Sequence, residues 1–140
     1  MPPPSFLKAT PVMVVERIEP VLPFWSKLGV EAGVKVPDAA ASDGRLGFAI
    51  FAAEGIEVMY QTAASIAGDT IASASDKKAF RTEPQQATLY VQVTDLAQVE
   101  RKLKGERLIM PKRKTFYGAT EVGYADPAGN IVLFSEHPQT

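Results

Sequence analysis

A carboxylate stands beside the only histidine of the chain, at Glu136 and His137. Such a pair is typical of a metal site or of an acid/base couple. With no cysteine and one histidine in 140 residues, any metal site must rely mainly on carboxylates. Glu136 and His137 therefore have two interpretations: they form a functional site, or they lie at the end of a strand.

Composition excludes several classes of function. A net charge of −1 and no stripe of aromatic and basic residues predict no nucleic-acid partner. No apolar run reaches the length that spans a bilayer, and the first residues carry no signal-peptide pattern. We therefore expect a cytoplasmic protein that does not bind a membrane. Phosphate-binding glycine loops, nucleophile elbows and zinc-binding HExxH motifs are missing from the sequence.

Two stretches of the chain have the same predicted order of strand, helix and three strands. The first has strands at 10–16, 30–36, 46–52 and 56–61, with a helix between Pro20 and Gly29. The second has strands at 87–93, 107–110, 117–125 and 131–135, with a helix that Asp95 caps and Gly105 ends. Residues 62–84 read as a linker, rich in alanine and serine, with some helix.

The two stretches align as an internal duplication. Thr88 lies 78 residues after Thr10, and Asp95 lies the same distance after Arg17. The chain is thus predicted to be one domain, 1–140, made of two modules at about 8–61 and 85–137.

The phrases "FWSKLG" and "YGATEVGYADPAGNIVLF" resemble the vicinal oxygen chelate superfamily, which includes glyoxalase I, extradiol dioxygenases and bleomycin-resistance proteins. "VMYQTAASI" is similar to the bleomycin-resistance-like branch. The resemblance implies an α+β fold, in which two βαβββ modules form a curved mixed sheet, or cup, with helices outside. It implies no single activity, because one fold hosts many functions.

The resemblance also implies where a metal would bind. Metal-dependent members carry a histidine on the first strand and a carboxylate on the last strand of each module. The two histidine positions match Thr10 and Thr88, and the two carboxylate positions match Met59 and Leu133. None of these side chains is a good ligand for a divalent metal, so no metal and no other cofactor are expected.

Strand alternation from these positions predicts the lining of the cup. The predicted ligand-binding residues are Thr10, Glu57, Met59, Gln61, Thr88, Tyr90, Gln92, Tyr117, Glu121, Leu133 and Ser135. The same alternation turns Glu136 toward the helices and His137 to the opposite side, past the strand, which favours a solvated strand end over chemistry.

Three of these residues have competing interpretations. Glu57 is a general base or an anchor for a cationic ligand, or it lies in water at a sheet edge. Glu121 is the second catalytic candidate, or it forms a cross-strand ion pair with Arg113 or Lys114. Tyr117 offers its ring to a planar ligand or packs in the core.

We therefore predict a metal-free homodimer that binds a small organic molecule. The alternative is a lyase, isomerase or dioxygenase whose atypical metal site uses Glu57, Glu121 or Glu136. A third possibility is a structural or regulatory dimer with a vestigial cup.

Overall fold

The computed structural model describes residues 2–68 and 83–138. The first module consists of β1 (Val12–Val15), α1 (Val21–Ser26), β2 (Glu31–Pro37), β3 (Leu46–Ala53) and β4 (Ile56–Thr62). A short helix, α2 (Ala63–Ala67), follows. The second module consists of β5 (Thr88–Gln92), α3 (Leu96–Lys102), β6 (Arg107–Lys114), β7 (Thr120–Ala125) and β8 (Ile131–Glu136). Most of the predicted linker lies outside the described residues.

Each module forms one four-stranded sheet, with strand orders β1-β4-β3-β2 and β5-β8-β7-β6. The first strand of each module pairs in parallel with the last, and all other pairs are antiparallel. The predicted α+β class and its two βαβββ modules are confirmed. The two sheets are mixed, as predicted, and they are not closed. No helix in the described parts of the chain is long and apolar enough to cross a membrane.

One face of each sheet is buried, and we call it the core face. In β4, Val58, Tyr60 and Thr62 are buried, whereas the residues between them are partly exposed. The core faces of both sheets join α1 and α3 in a single hydrophobic core. Helix α1 contributes Phe24 and Trp25, which are fully buried. Each large core side chain stabilises the fold by about 1.5–3 kcal/mol.

A buried hydrogen-bond chain connects the two modules within this core. The indole N–H of Trp25 donates to the Tyr60 hydroxyl at 3.0 Å, and that hydroxyl donates to Asp126 Oδ2 at 2.6 Å. Asp126 Oδ1 also accepts from the N–H groups of Ala128 and Asn130, which holds the "DPAGN" turn. Burial, and then the charge of Asp126, raise the pKa of Tyr60, so its hydroxyl stays protonated.

The opposite face of each sheet, the open face, carries the predicted lining. The predictions of strand ends were wrong in three places that affect it. Strand β1 begins at Val12 rather than at Thr10, so Thr10 lies before the strand. Strand β6 runs to Lys114 rather than stopping at Met110, and β7 begins at Thr120 rather than at Tyr117. Tyr117 therefore lies in the β6–β7 turn, where Gly118 has a φ of 86°.

Candidate functional site

The open face of the second sheet brings five of the predicted lining residues into two neighbouring rows. Gln92 pairs with Ser135, which pairs with Glu121. Tyr90 pairs with Leu133, which pairs with Gly123. Side chains that share a row across neighbouring strands lie close enough to act on one ligand.

Glu121 is the most unusual residue of this face, because only 4% of its surface is exposed. Its Oε2 accepts from the Tyr117 hydroxyl at 2.8 Å, and its Oε1 lies 3.4 Å from the guanidinium of Arg113. The hydrogen bond from Tyr117, with smaller contributions from Tyr90 and Arg113, outweighs the effect of burial and lowers the pKa of Glu121. The carboxylate is therefore charged at neutral pH. The ion pair with Arg113 is one of the alternatives that the sequence left open.

Two tyrosine rings, Tyr90 and Tyr117, interact with this carboxylate, and the ring of His137 lies beside both of them. The Tyr90 hydroxyl lies 3.0 Å from His137 Nε2. The ring centres of Tyr90 and Tyr117 lie 6.3 Å and 6.1 Å from that of His137. Hydrogen bonding with Tyr90, and then with Glu121, raises the pKa of Tyr117 to about 12. About half of each tyrosine remains exposed to solvent, so their rings are accessible to a ligand.

His137 belongs to this group, and the sequence analysis did not include it. The signal was present, because alternation places residue 137 on the same side of the chain as Leu133 and Ser135. Its position after the end of the strand argued against a role.

Glu136 turns away from His137 and has a structural role. Its Oε1 accepts from the backbone N–H of Leu96, the first residue of α3, at 2.8 Å. An anionic acceptor at this helix end satisfies a free N–H group and interacts favourably with the helix dipole. Asp95 accepts from the N–H of Gln98 at the same helix end, as predicted. Glu136 and His137 therefore form no acid/base pair.

Glu57 lies on the open face of the first sheet, near the edge strand β1. Its carboxylate accepts from the ammonium of Lys8 at 2.8 Å and from the hydroxyl of Thr10. These two hydrogen bonds, that of Lys8 first, lower the pKa of Glu57. A charged carboxylate that already has two donors is poorly suited to remove a proton from a substrate.

The predicted lining is divided between the two sheets. The first sheet carries Glu57, Met59 and Gln61, with Thr10 just before β1, and the second carries Thr88, Tyr90, Gln92, Glu121, Leu133 and Ser135, with Tyr117 in the β6–β7 turn. Within residues 2–68 and 83–138, no hydrogen bond or ring contact joins one set to the other.

A metal ion fits neither set. The positions that the resemblance assigns to metal ligands hold two hydroxyls, a thioether and an alkyl group, at Thr10, Thr88, Met59 and Leu133. In the part of the chain that the structure describes, no three carboxylate or imidazole side chains are grouped closely enough to hold a metal.

Cavities lie beside the strands of both modules. One of about 240 Å³ adjoins Glu121 and is also lined by Arg113, Phe116 and Tyr117. A larger one of about 390 Å³ lies between the modules, where Trp25, Ile56 and Val99 contribute to its wall. Of the predicted lining, only Gln92 contacts the larger cavity.

No protein-family model and no curated protein sequence matches the chain. Lactoylglutathione lyase from Agrobacterium tumefaciens superposes with a TM-score of 0.69 at 17% identity, over 96% of each chain. A glyoxalase/bleomycin resistance protein/dioxygenase from Nocardioides gives 0.66 at 18% identity, over 98% of this chain and 87% of that one. A bleomycin-binding protein complexed with bleomycin gives 0.61 at 17%, over 95% and 100%. These similarities confirm the fold that the sequence resemblance implied.

Proposed function

Because the chain has the glyoxalase/bleomycin resistance fold, we propose that it binds a small organic molecule on the open face of its second sheet, without a metal ion. The observation that carries this proposal is the almost fully buried, charged carboxylate of Glu121 beside the half-exposed rings of Tyr90 and Tyr117. Small-molecule sites typically combine aromatic walls with a few placed polar groups.

The similar structures support the binding of a small organic molecule, but they do not identify it. One of them is a bleomycin-binding protein in complex with bleomycin, which is a small organic molecule held by this fold. The identity of that ligand does not transfer at 17% sequence identity. The ligand of this chain has to be argued from its own residues.

The alternative is a lyase, isomerase or dioxygenase with a carboxylate-based metal site. Its metal ligands would come from Glu57, Glu121 or Glu136, but each of these carboxylates is already bound to other partners. Glu57 binds Lys8 and Thr10, Glu121 binds Tyr117 and Arg113, and Glu136 binds the first N–H of α3. Metal analysis of protein purified without chelator separates the two functions. Stoichiometric zinc, iron, nickel or manganese that is lost in Glu121→Ala would favour the enzyme.

We also propose that a second copy of the chain completes the site. The open face of the first sheet is mostly apolar away from Glu57, and Val12, Val34 and Val36 are 48%, 42% and 46% exposed. Exposed apolar patches of this kind mark interaction surfaces in soluble proteins. A homodimer that covers this face removes the valines from water and gives the sheets, which one chain leaves unclosed, a second wall. The cytoplasmic location remains a prediction of the sequence.

Binding is tested by a thermal-shift screen of planar aromatic compounds, followed by calorimetric titration of the compounds that stabilise the protein. We expect Tyr90→Ala to weaken binding at least about tenfold, since a tyrosine ring supplies much of the contact area at such sites. The control is Leu108→Ala, which changes a side chain of similar exposure on the edge strand β6. Equal affinities in the wild type and Tyr90→Ala would contradict a site on this face.

A further inference from the structure

The groups that line the second sheet restrict the chemical class of the ligand, and this step rests on the proposed function. Glu121 is charged, but its side chain is only 5% exposed. A carboxylate that has lost most of its water needs a cation or several hydrogen-bond donors as compensation. The partners of Glu121 in the free protein therefore show whether a ligand has to supply part of that compensation.

The compensation is incomplete. Tyr117 donates a good hydrogen bond to Oε2, but Arg113 approaches Oε1 only to 3.4 Å. The side chain of Arg113 is 60% exposed, so water solvates much of the guanidinium and weakens its attraction to the carboxylate. No other cation in the described part of the chain forms an ion pair with Glu121. Arg113 is thus a counter-ion that a better-placed cation can displace.

The rings around Glu121 also favour a cation. The ring centre of His137 lies 6.3 Å from that of Tyr90 and 6.1 Å from that of Tyr117, and Phe116 packs edge-on against Tyr117 at 5.0 Å. Phe116 is 99% exposed, although it is fully apolar. The negative faces of aromatic rings attract organic cations, and this attraction grows when the cation is partly desolvated.

A further polar group faces the same place. Ser135 pairs with Glu121 across the strands, and its side chain is fully buried. Its hydroxyl has no hydrogen-bond partner among residues 2–68 and 83–138. A ligand with several N–H groups provides the neighbouring Glu121 with donors, which a purely apolar ligand cannot do, while Ser135 stays enclosed beside it.

The basic run Lys112-Arg113-Lys114 raises the opposite possibility, an anionic ligand. Two of its three charges are already paired, since Lys112 lies 3.0 Å from Glu100 and Arg113 contacts Glu121. An anion beside Glu121 would meet a like charge in a site that water screens poorly. The balance of charges therefore opposes an anion at the rings.

We propose that the aromatic cluster of Tyr90, Phe116, Tyr117 and His137 binds an organic cation with a planar ring, such as an arylmethylammonium or aromatic amidinium ion, whose N–H groups displace Arg113 from Glu121. The rings hold the planar part, and the carboxylate holds the charge. Arg113 then turns to solvent, where its guanidinium is already largely exposed.

Three compounds with one ring system test this proposal: 1-naphthylmethylamine, 1-naphthylmethanol and 1-naphthylacetate, titrated into the whole protein by calorimetry at pH 7. We expect the amine to bind at least about tenfold more tightly than the alcohol, and the acetate to bind most weakly. Glu121→Gln removes the charge but keeps the shape, so the amine should lose its advantage over the alcohol.

Arg113→Gln provides a second variant that changes an exposed side chain and leaves the sheet intact. If Arg113 competes with the ligand, this variant binds the amine more tightly than the wild type does, by about two- to fivefold. A role for Arg113 in the fold alone would leave the ratio of amine to alcohol affinity unchanged, and that result would overturn the displacement step.

The outcomes also separate this inference from the proposed function. If the alcohol or the acetate binds as tightly as the amine, or if none of the three binds, the cationic class is wrong. If Tyr90→Ala leaves the affinity of all three compounds unchanged, the open face is not the site, and the proposed function fails as well.

Discussion

The three candidate carboxylates have similar side chains but different tasks, and their partners determine those tasks. Glu136 accepts from a helix N–H, which fixes the start of α3. Glu57 is neutralised by Lys8 near the N-terminal end of the chain. Glu121 alone is almost fully buried among rings, with a weakly held counter-ion. Of the three, only Glu121 combines the charge and the surroundings that a ligand site needs.

The link between Tyr117 and Glu121 gives a pH-dependent prediction. The pKa of Tyr117 is raised from 10.0 to about 12. The hydrogen bonds with Tyr90, and then with Glu121, hold this proton more tightly in the folded state than in the unfolded state, so they stabilise the fold below pH 10 and lose that effect as pH rises through about 12. In Glu121→Gln we expect the pKa of Tyr117 to fall toward its ordinary value, but not fully, since the hydrogen bond with Tyr90 remains.

The measurement is an NMR titration of protein with ¹³C-labelled tyrosine rings. Glu57→Gln is the matched control, because it removes a carboxylate on the other sheet and should leave the pKa of Tyr117 unchanged. An unaltered Tyr117 titration in Glu121→Gln would show that the carboxylate does not hold this proton.

Tyr60→Phe removes one oxygen from the buried chain between the modules. The indole N–H of Trp25 and Oδ2 of Asp126 each lose a partner inside the core. Leaving buried polar groups unpaired costs about 1–3 kcal/mol, and more when one is charged. We expect the free energy of unfolding, measured in urea, to fall by at least that amount.

Tyr124→Phe is the control for this experiment, because it makes the same chemical change at a core tyrosine that is 6% exposed. Its hydroxyl forms no hydrogen bond within the described residues, so the expected loss is below about 0.5 kcal/mol. Equal losses in the two variants would contradict a special role for the Tyr60 hydroxyl.

At the scale of elements, local chemistry made the order of strands and helices predictable. Runs of β-branched and apolar residues marked β1 and β4, and the spacing of Val21, Phe24 and Trp25 marked the buried side of α1. Asp95 and the "DPAGN" turn carried the signals of a helix start and a tight turn. These features depend on neighbours in sequence, which is why the sequence alone was sufficient.

The errors arose where the neighbours in space decide. Strand β6 continues through the charged residues Lys112–Lys114, because it is an edge strand whose outer side meets water. Tyr117 was assigned to a strand, but Gly118 adopts a positive φ and forms a turn there. Alternation placed His137 on the side of Leu133 and Ser135, but its contact with Tyr90 depends on the path of the chain after β8, which alternation within the strand does not determine.

Alanine substitutions at two strand glycines should change the stability of the protein in opposite directions. A Cβ at Gly123, in β7, would lie 2.8 Å from Leu133 Cδ2 and 3.1 Å from Met110 Cβ. A Cβ at Gly33, in β2, would meet nothing within 4 Å. We expect Gly123→Ala to destabilise the protein by about 1–3 kcal/mol through overpacking. Gly33→Ala should be neutral or stabilise it by up to about 1 kcal/mol.

Thermal and urea unfolding of the two alanine variants measure the difference, and each serves as the control for the other. Gly123→Ala should also alter the open face, because Leu133 must shift beside Tyr90. Equal stabilities would mean that Leu133 and Met110 move aside at no cost. The close packing around Gly123 would then not contribute to the free energy of unfolding.

At the scale of the whole molecule, the arrangement of faces decides what one chain can do alone. The core faces of both sheets are joined in one hydrophobic core, and no other element of the described residues packs over the two open faces. The face of the first sheet is mostly apolar, whereas that of the second carries Glu121, His137 and two tyrosines. One face is suited to association and the other to a ligand.

Val36→Lys tests whether a second copy covers the first open face. Val36 is 46% exposed, so lysine at this position should cost the single chain little. A charge within a protein interface is expensive, and we expect the variant to sediment as a monomer where the wild type sediments at twice that mass. Leu108→Lys, at a side chain that is 51% exposed on the edge strand β6, should leave the dimer intact.

The ligand affinity of the same variants shows how the site is built. If the second copy supplies a wall of the site, Val36→Lys weakens ligand binding together with dimer formation, and Leu108→Lys changes neither. A monomeric Val36→Lys protein that binds with full affinity would mean that the second sheet forms the site within one chain. In that case, the apolar face of the first sheet serves association alone, and its valines have no part in recognition.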